Sequence, residues 1–330
     1  MQNRLIFTTL FNSYYLCKGL VMYESLKCVC DDFHLYVFAY DEKSYAYLKL
    51  QNYENVTVIS LDELEHYFPK LLDVKSQRTF AEYCWTTTAF TIKYCLDNFD
   101  IDHCTYIDSD LYFTSNPRVL VDELGQNDII ITEHNYTPRY DQSTTSGKYC
   151  VQFVLTRNNT NGRCIIDWWK DACYDWCYNR YEDGKFGDQK YLDDWTTRFR
   201  NVHVLRHRGV VAPWNIQQFS LRNQEEKLVL LHKNTKKEYL LIFYHFHYFR
   251  HYKIFNLYEY IFGPYELSSC VINMVYRPYL NAISKIHKLL NKNGFADGDL
   301  GYFDIELPIW RKGIHLLRTI FRRNKKIRAN

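Results

Sequence analysis

The first third of the chain alternates between two hydrophobic periods. RLIFTTL (4–10) is a short, continuous apolar run that reads as a buried strand. After it Leu16, Leu20 and Tyr23 share one face of a helix, with Ser13 placed to cap it. FHLYVFAY (33–40) and VTVISL (56–61) are further strands. Ser60 with Glu63, and Thr79 with Glu82, have capping-box spacing. The second box opens a long helix whose apolar stripe is Trp85, Ala89, Ile92, Leu96 and Phe99. CTYIDSDLYF (104–113) follows as a strand interrupted by two acids. This strand–helix order predicts an α/β fold with a mostly parallel sheet flanked by helices, and such sheets bind ligands at the carboxyl ends of their strands.

Beyond it, DIIITEH (128–134) and YCVQFVLTR (149–157) read as strands. Ile165, Trp168, Ala172 and Trp176 mark a helix. EDGKFGDQKYL (182–192) is a turn leading into a short helix, and NVHVLR (201–206) and YLLIFYHF (239–246) are strands. From about residue 257 the pattern turns helical. The expected division is one domain over 1–256 and a helical extension over 257–330.

Composition changes the picture only at certain points. The chain has 330 residues and a net charge of +3, which gives no nucleic-acid signal. Aromatic residues make up 18 %, led by 30 Tyr, which suits carbohydrate contact and equally a tyrosine-rich core. The 11 Cys include no C-x-x-C pair, so zinc-ribbon and redox spacings are absent. They read as reduced, mostly buried thiols of a cytoplasmic protein. MQNRLIFTTLFNSYYL has one Arg and a short apolar core, so no cleavable signal is expected, and no apolar run is long enough to span a membrane.

Residues i and i+2 of an extended chain point the same way, so Asp108 and Asp110 can meet one hard divalent cation, Mn²⁺ or Mg²⁺, that keeps positions for substrate phosphates. The plainer alternative is a solvated turn. Apolar residues on both sides argue against it.

TYIDSDLYFTSNP resembles the Asp-x-Asp segment of GT-A fold glycosyltransferases that use sugar nucleotides. In the same order, FTTLFNSYYLCKGLVMYESL resembles their opening strand, nucleotide loop and first helix, and GKYCVQFVLTRNN the strand after the donor site. GKFGDQKYLDDW resembles their acidic loop, and GVVAPWN and YHFHYF complete the set. The chain looks like enzymes of bacterial surface-polysaccharide clusters, distantly similar to glycosyltransferase family 8. The resemblance spans residues 4–250.

It implies a GT-A, Rossmann-like catalytic domain acting on a nucleotide-sugar donor, with a UDP-sugar favoured, and a glycan or lipid-linked acceptor. Thr8, Thr9 and Tyr14 would meet the nucleotide, and Asp108, Ser109 and Asp110 the metal-diphosphate. His245 matches the third ligand of a His-Phe-x-Gly segment, with Tyr248 in place of the glycine. His247, two residues on, is an alternative ligand. Arg78 and Lys93 are candidates to reach the diphosphate, or else a solvated helix face. Asp188 and Gln189 would lie by the transferred sugar, with Asp188 as catalytic base or transition-state stabiliser, or as a helix cap. Trp214 and Asn215 would contact sugar or acceptor.

Two other functions stand beside this one. A nucleotidyltransferase would show a glycine-rich basic loop after the first strand, which TTLFNSYYLCKG lacks. A non-catalytic sugar-binding protein would not need the acids and histidines intact. Finally, Trp310, Ile314, Leu317 and Phe321 recur at helical spacing among Arg311, Lys312, Arg318 and Arg322. Residues 308–330 thus read as a basic amphipathic helix, either on an anionic membrane surface at the cytoplasmic face or docked on the core.

Overall fold

The computed structural model describes residues 4–254 and 257–304. Its first half alternates strand and helix: β1 (Leu5–Phe11), α1 (Ser13–Val29), β2 (Phe33–Ala39), α2 (Glu42–Gln51), β3 (Val56–Ser60), α3 (Leu61–Tyr67), α4 (Leu71–Lys75), α5 (Phe80–Asn98), β4 (His103–Ile107) and β5 (Leu111–Phe113). Then come α6 (Arg118–Asp122), β6 (Ile129–Glu133), β7 (Tyr149–Arg157), α7 (Thr160–Asp175), α8 (Trp195–Arg198), β8 (Val202–Val204) and β9 (Val210–Val211). The rest is β10 (Phe219–Gln224), β11 (Lys227–His232), β12 (Glu238–Leu240), β13 (Phe243–His245), β14 (Arg250–Ile254), β15 (Leu257–Ile261), α9 (Ser269–Val271), α10 (Arg277–Lys292) and β16 (Tyr302–Asp304).

Seven strands form the central sheet in the order β3-β2-β1-β4-β7-β6-β8. β3, β2, β1 and β4 run parallel, and β7 lies antiparallel to both β4 and β6. Strand order reverses between β1 and β4, which opens a crevice at their carboxyl ends. β1 is buried along its whole length because both its faces are covered. Leu5 and Phe7 pack with α1 and α10 on one side, and Ile6 and Leu10 with α5 and α7 on the other.

The Thr79–Glu82 capping box forms with both reciprocal bonds, and α5 follows it. Ser60 accepts the Glu63 amide. Ser13 is the first residue of α1 rather than its cap. Its amide and hydroxyl both donate to Asp41 Oδ2, at 2.8 and 2.7 Å.

Two departures from the expected pattern have local causes. β10 and β11 form a hairpin through Glu225 and Glu226, at φ 50° and 64°. A two-residue turn with positive φ usually announces itself by Asn-Gly, and Glu-Glu carries no such signal. The region expected to be helical from 257 instead contributes β15 and β16, which flank β14 in one three-stranded sheet. α10 then packs Ile283, Ile286 and Leu290 into the main core. The amphipathic stretch 308–330 lies outside the described residues. No helix among the described residues is long and apolar enough to cross a membrane.

Candidate active site

The crevice at the ends of β1 and β4 is a cleft of about 630 Å³. Asp108, Ser109 and Asp110 form the turn from β4 to β5 at its floor. β5 pairs antiparallel with β13, setting His245 opposite Leu111, and the Phe246 amide donates to the Asp110 carbonyl at 2.9 Å. The sheet register thereby carries His245 to the two acids across 135 residues of chain. Its Nε2 lies 3.1 Å from Asp110 Oδ1 and 3.7 Å from Asp108 Oδ2. Its Nδ1 is 2.8 Å from Oε1 of the fully buried Gln152, which fixes the ring from behind.

The charges are strongly coupled. Burial drives Asp108 up to about 6, with Asp110 adding to the rise and His245 opposing it. Burial also acts to raise Asp110, but adjacent His245 outweighs it and holds that carboxyl well below the usual range. His245 in turn is raised well above an ordinary histidine: burial opposes its charge, and Asp110 and Asp108 overcome that.

Of the expected metal set Asp108, Asp110, His245 and His247, the first three meet at His245 Nε2. Among the described residues, one group of three has its donor atoms all within 4.8 Å of one another: Asp108, Cys150 and His245. Asp110 lies against the same Nε2 as Asp108 but is not in that group of three. His247 lines the cleft next to Trp214, with ring centroids 5.2 Å apart. Tyr248, in the glycine position of the resemblance, adopts φ 64°, so the turn has the left-handed backbone a glycine would give.

Asp188 and Gln189 also line the cleft. Gly187, at φ 52°, turns the chain over Trp85, and the Trp169 indole donates to the Asp188 carbonyl at 2.9 Å. Asp188 makes no capping bond to the short helical turn after it, which removes the cap reading. It is 6 % exposed, and burial, with Asp108 adding, pushes its carboxyl up to about 7.

At the end formed by β1 and α1, where a nucleotide is expected, the expected residues are displaced. Thr8 and Thr9 are fully buried inside β1, with hydroxyls that meet no partner, and neither lines the cleft. Tyr14 packs beneath Gly301. Asn12 and Tyr15 line the cleft instead. Asp41 holds the start of α1, and the Asn12 side chain makes no capping bond.

The two candidate diphosphate cations also lie elsewhere, Arg78 before α5 and Lys93 on it. Arg78 is buried over the Tyr178 ring and donates to the Tyr174 carbonyl at 3.2 Å. Lys93 is held by Asp97 at 2.6 Å, which also binds Arg163. The cation lining the cleft is Arg250, stacked on Tyr248 at 4.7 Å. Lys18 stands behind it, donating to the Phe249 carbonyl at 3.1 Å. Trp214 lines the cleft edge-on to His245, with its indole donating to the His134 carbonyl at 2.8 Å. Asn215 lies behind that wall and braces it, bonding the same carbonyl at 2.8 Å and the Ala212 amide at 2.9 Å.

Sequence reasoning missed Cys150, Gln152, Asn12, Tyr15 and Arg250. Cys150 and Gln152 sit in an apolar run with nothing to mark them. Between the pairs Ile130↔Leu155 and Thr132↔Cys150, β7 advances five positions while β6 advances two. Such bulges re-aim side chains beside active sites.

No protein-family model matches the chain. It is 32 % identical over 282 residues to the uncharacterized protein YfnD of Bacillus subtilis, covering 83 % of this chain and 87 % of that one. It is 27 % identical over 298 residues to the uncharacterized protein YfnF of the same organism, covering 86 % and 95 %. Among solved structures, the galactosyltransferase LgtC in complex with donor and acceptor sugar analogs superposes with a TM-score of 0.52 at 13 % identity, over 85 % of this chain and 96 % of that one. That likeness shows a GT-A fold.

Proposed function

Because the chain belongs to the family of Bacillus subtilis YfnD and has the GT-A glycosyltransferase fold, we propose that it is a cation-dependent glycosyltransferase. The donor is a nucleotide-diphosphate sugar, with uridine favoured by the resemblance to family 8. The acceptor is a glycan or lipid-linked glycan of surface-polysaccharide synthesis. One observation carries this reading. Asp108, Asp110 and His245 converge at the switch point of the sheet, on the floor of a cleft large enough for a sugar nucleotide.

The donor chemistry fits Mn²⁺ or Mg²⁺: two carboxylates and one imidazole, in a cleft that keeps room for phosphate oxygens. Asp108, Asp110 and His245 would hold the cation. Bound there, the cation would neutralise charge growing on the departing diphosphate. Arg250 offers a second positive group to the same phosphates. Asn12 and Tyr15 contact the nucleotide. Trp214 orients the acceptor side and excludes water.

Asp188 faces the transferred sugar. Its raised affinity for a proton suits exchange near neutral pH. In an inverting reaction it takes the proton of the attacking hydroxyl. In a retaining reaction, which the family resemblance favours, Asp188 and Gln189 instead stabilise the positive sugar. A membrane-directed role for 308–330 belongs to the same proposal.

Hydrolysis of a panel of sugar nucleotides, with and without Mn²⁺, tests it. One donor should be bound tightly and slowly hydrolysed only with the cation. Absence of both binding and hydrolysis for every donor would leave a non-catalytic GT-A protein.

A further inference from the structure

We infer that Cys150 is a direct ligand at the cation site, making it a mixed oxygen, nitrogen and sulfur site that selects Mn²⁺, Co²⁺ or Zn²⁺ over Mg²⁺. The inference rests on the reading of the cleft as a cation site.

Three observations carry it. First, the donor atoms of Asp108, Cys150 and His245 lie within 4.8 Å of one another, and Asp110 is not in that set. A cation at about 2.0–2.3 Å from each ligand draws together donors up to about 4.6 Å apart, so at most a small side-chain adjustment closes the set. Second, the backbone presents the thiol deliberately. Cys150 lies at the foot of the β7 bulge, and two residues on Gln152 turns to the same histidine, with Oε1 2.8 Å from Nδ1. A histidine whose Nδ1–H is held by an acceptor offers its Nε2 lone pair to a metal. Third, Cys150 is 3 % exposed and packs beside Ala212 and Trp214, so its sulfur opens onto the cleft and not onto bulk solvent.

Coordination forms one sulfur–metal and one nitrogen–metal bond as the thiol proton of Cys150 and the Nε2 proton of His245 leave to the buffer. Carboxylates alone suit Mg²⁺ as well as Mn²⁺, whereas a thiolate adds affinity for softer cations and none for Mg²⁺. The structure thus names a metal preference that two acids and a histidine leave open.

Cobalt reports the bond directly, because a thiolate bound to Co²⁺ gives a charge-transfer absorption in the near ultraviolet that oxygen and nitrogen ligands do not. The full-length protein is titrated with Co²⁺ while absorbance is followed, and Mn²⁺ binding is measured separately by electron paramagnetic resonance. The band should appear with saturation in the parent and be absent in Cys150→Ser and Cys150→Ala. Both variants should bind Co²⁺ roughly 10–100-fold more weakly, with Mg²⁺ affinity, read from its competition with Mn²⁺, unchanged. Two variants are used so that a packing defect in one is not mistaken for a lost ligand. Saturable Co²⁺ binding without the band would overturn the inference and leave the cation site standing. Failure to bind Mn²⁺ and Co²⁺ at all would overturn both.

Discussion

The two ends of the cleft were built by different means. At the floor, the Asp108–Ser109–Asp110 turn is held by strand register: β5 on β13 brings His245 to Asp110, and β7 beside β4 brings Gln152 to His245. At the nucleotide end, the surface comes from a strand terminus and a helix start, where one residue of shift exchanges a buried side chain for a lining one. Thr8 and Thr9 are sealed in β1, while Asn12 and Tyr15 face the cleft. The floor therefore tolerates little change, and the nucleotide end should divide sharply between adjacent positions.

The largest effect is expected at the floor. Asp108→Asn and Asp110→Asn should each lower cation-dependent transfer by roughly 1000-fold, the several kcal/mol a cation supplies to the leaving group, with an unchanged circular dichroism spectrum. Retained activity in either would separate the acids from the chemistry.

Asp188→Asn should lower turnover by roughly 100-fold and also change stability. The folded carboxyl titrates at about 7, against 3.8 in the unfolded chain. Folded protein therefore binds the proton more tightly. This group costs nothing below pH 4, and its penalty grows as pH rises to about 7. In the metal-free protein the variant should match the parent at pH 4 and exceed it at pH 8 by on the order of 2 kcal/mol, read from urea unfolding at both pH values. An equal difference at the two pH values would contradict a carboxylate whose proton affinity is raised by burial.

Gln152→Leu removes the acceptor behind His245 without touching a ligand. Mn²⁺ affinity should fall roughly 10–100-fold, measured by paramagnetic resonance, with donor binding affected only through the cation.

The smallest effects separate the nucleotide end from its buried neighbours. Asn12→Ala should raise donor KM about fivefold, the value of one hydrogen bond of about 1 kcal/mol. Thr8→Val and Thr9→Val should leave KM unchanged, because hydroxyls with no partner and no route to the cleft have nothing to give up. A KM effect from either threonine and none from Asn12 would return the nucleotide to the strand.

The legibility of the molecule follows the same division. The alternation of β1 to β4, the capping box at Thr79 and the long helix α5 were readable because period and caps are local. That Asp108, Asp110, His245, Asp188 and Trp214 share one cleft was readable because acids or histidines in apolar runs, and a tryptophan in a turn, have few plain structural uses. Lys93 and Arg78 misled because cations do have such uses: Lys93, on α5, is bound to Asp97, and Arg78, in the segment before α5, is stacked on Tyr178. Cys150 and Gln152 were invisible because a bulge, set by pairing with a strand twenty residues away, decides where they point. The Glu225–Glu226 hairpin was invisible for a related reason: its turn lacks the residues that usually advertise positive φ.

The central claim is that the cleft holds a cation which in turn holds a sugar nucleotide. Calorimetric titration of the parent and of Asp110→Asn with UDP-sugars, each with Mn²⁺ and with a chelator, tests it most directly. The account expects tight binding of one donor by the parent with Mn²⁺, and loss of that binding both with chelator and in the variant. Donor binding of equal strength in all four conditions would contradict it.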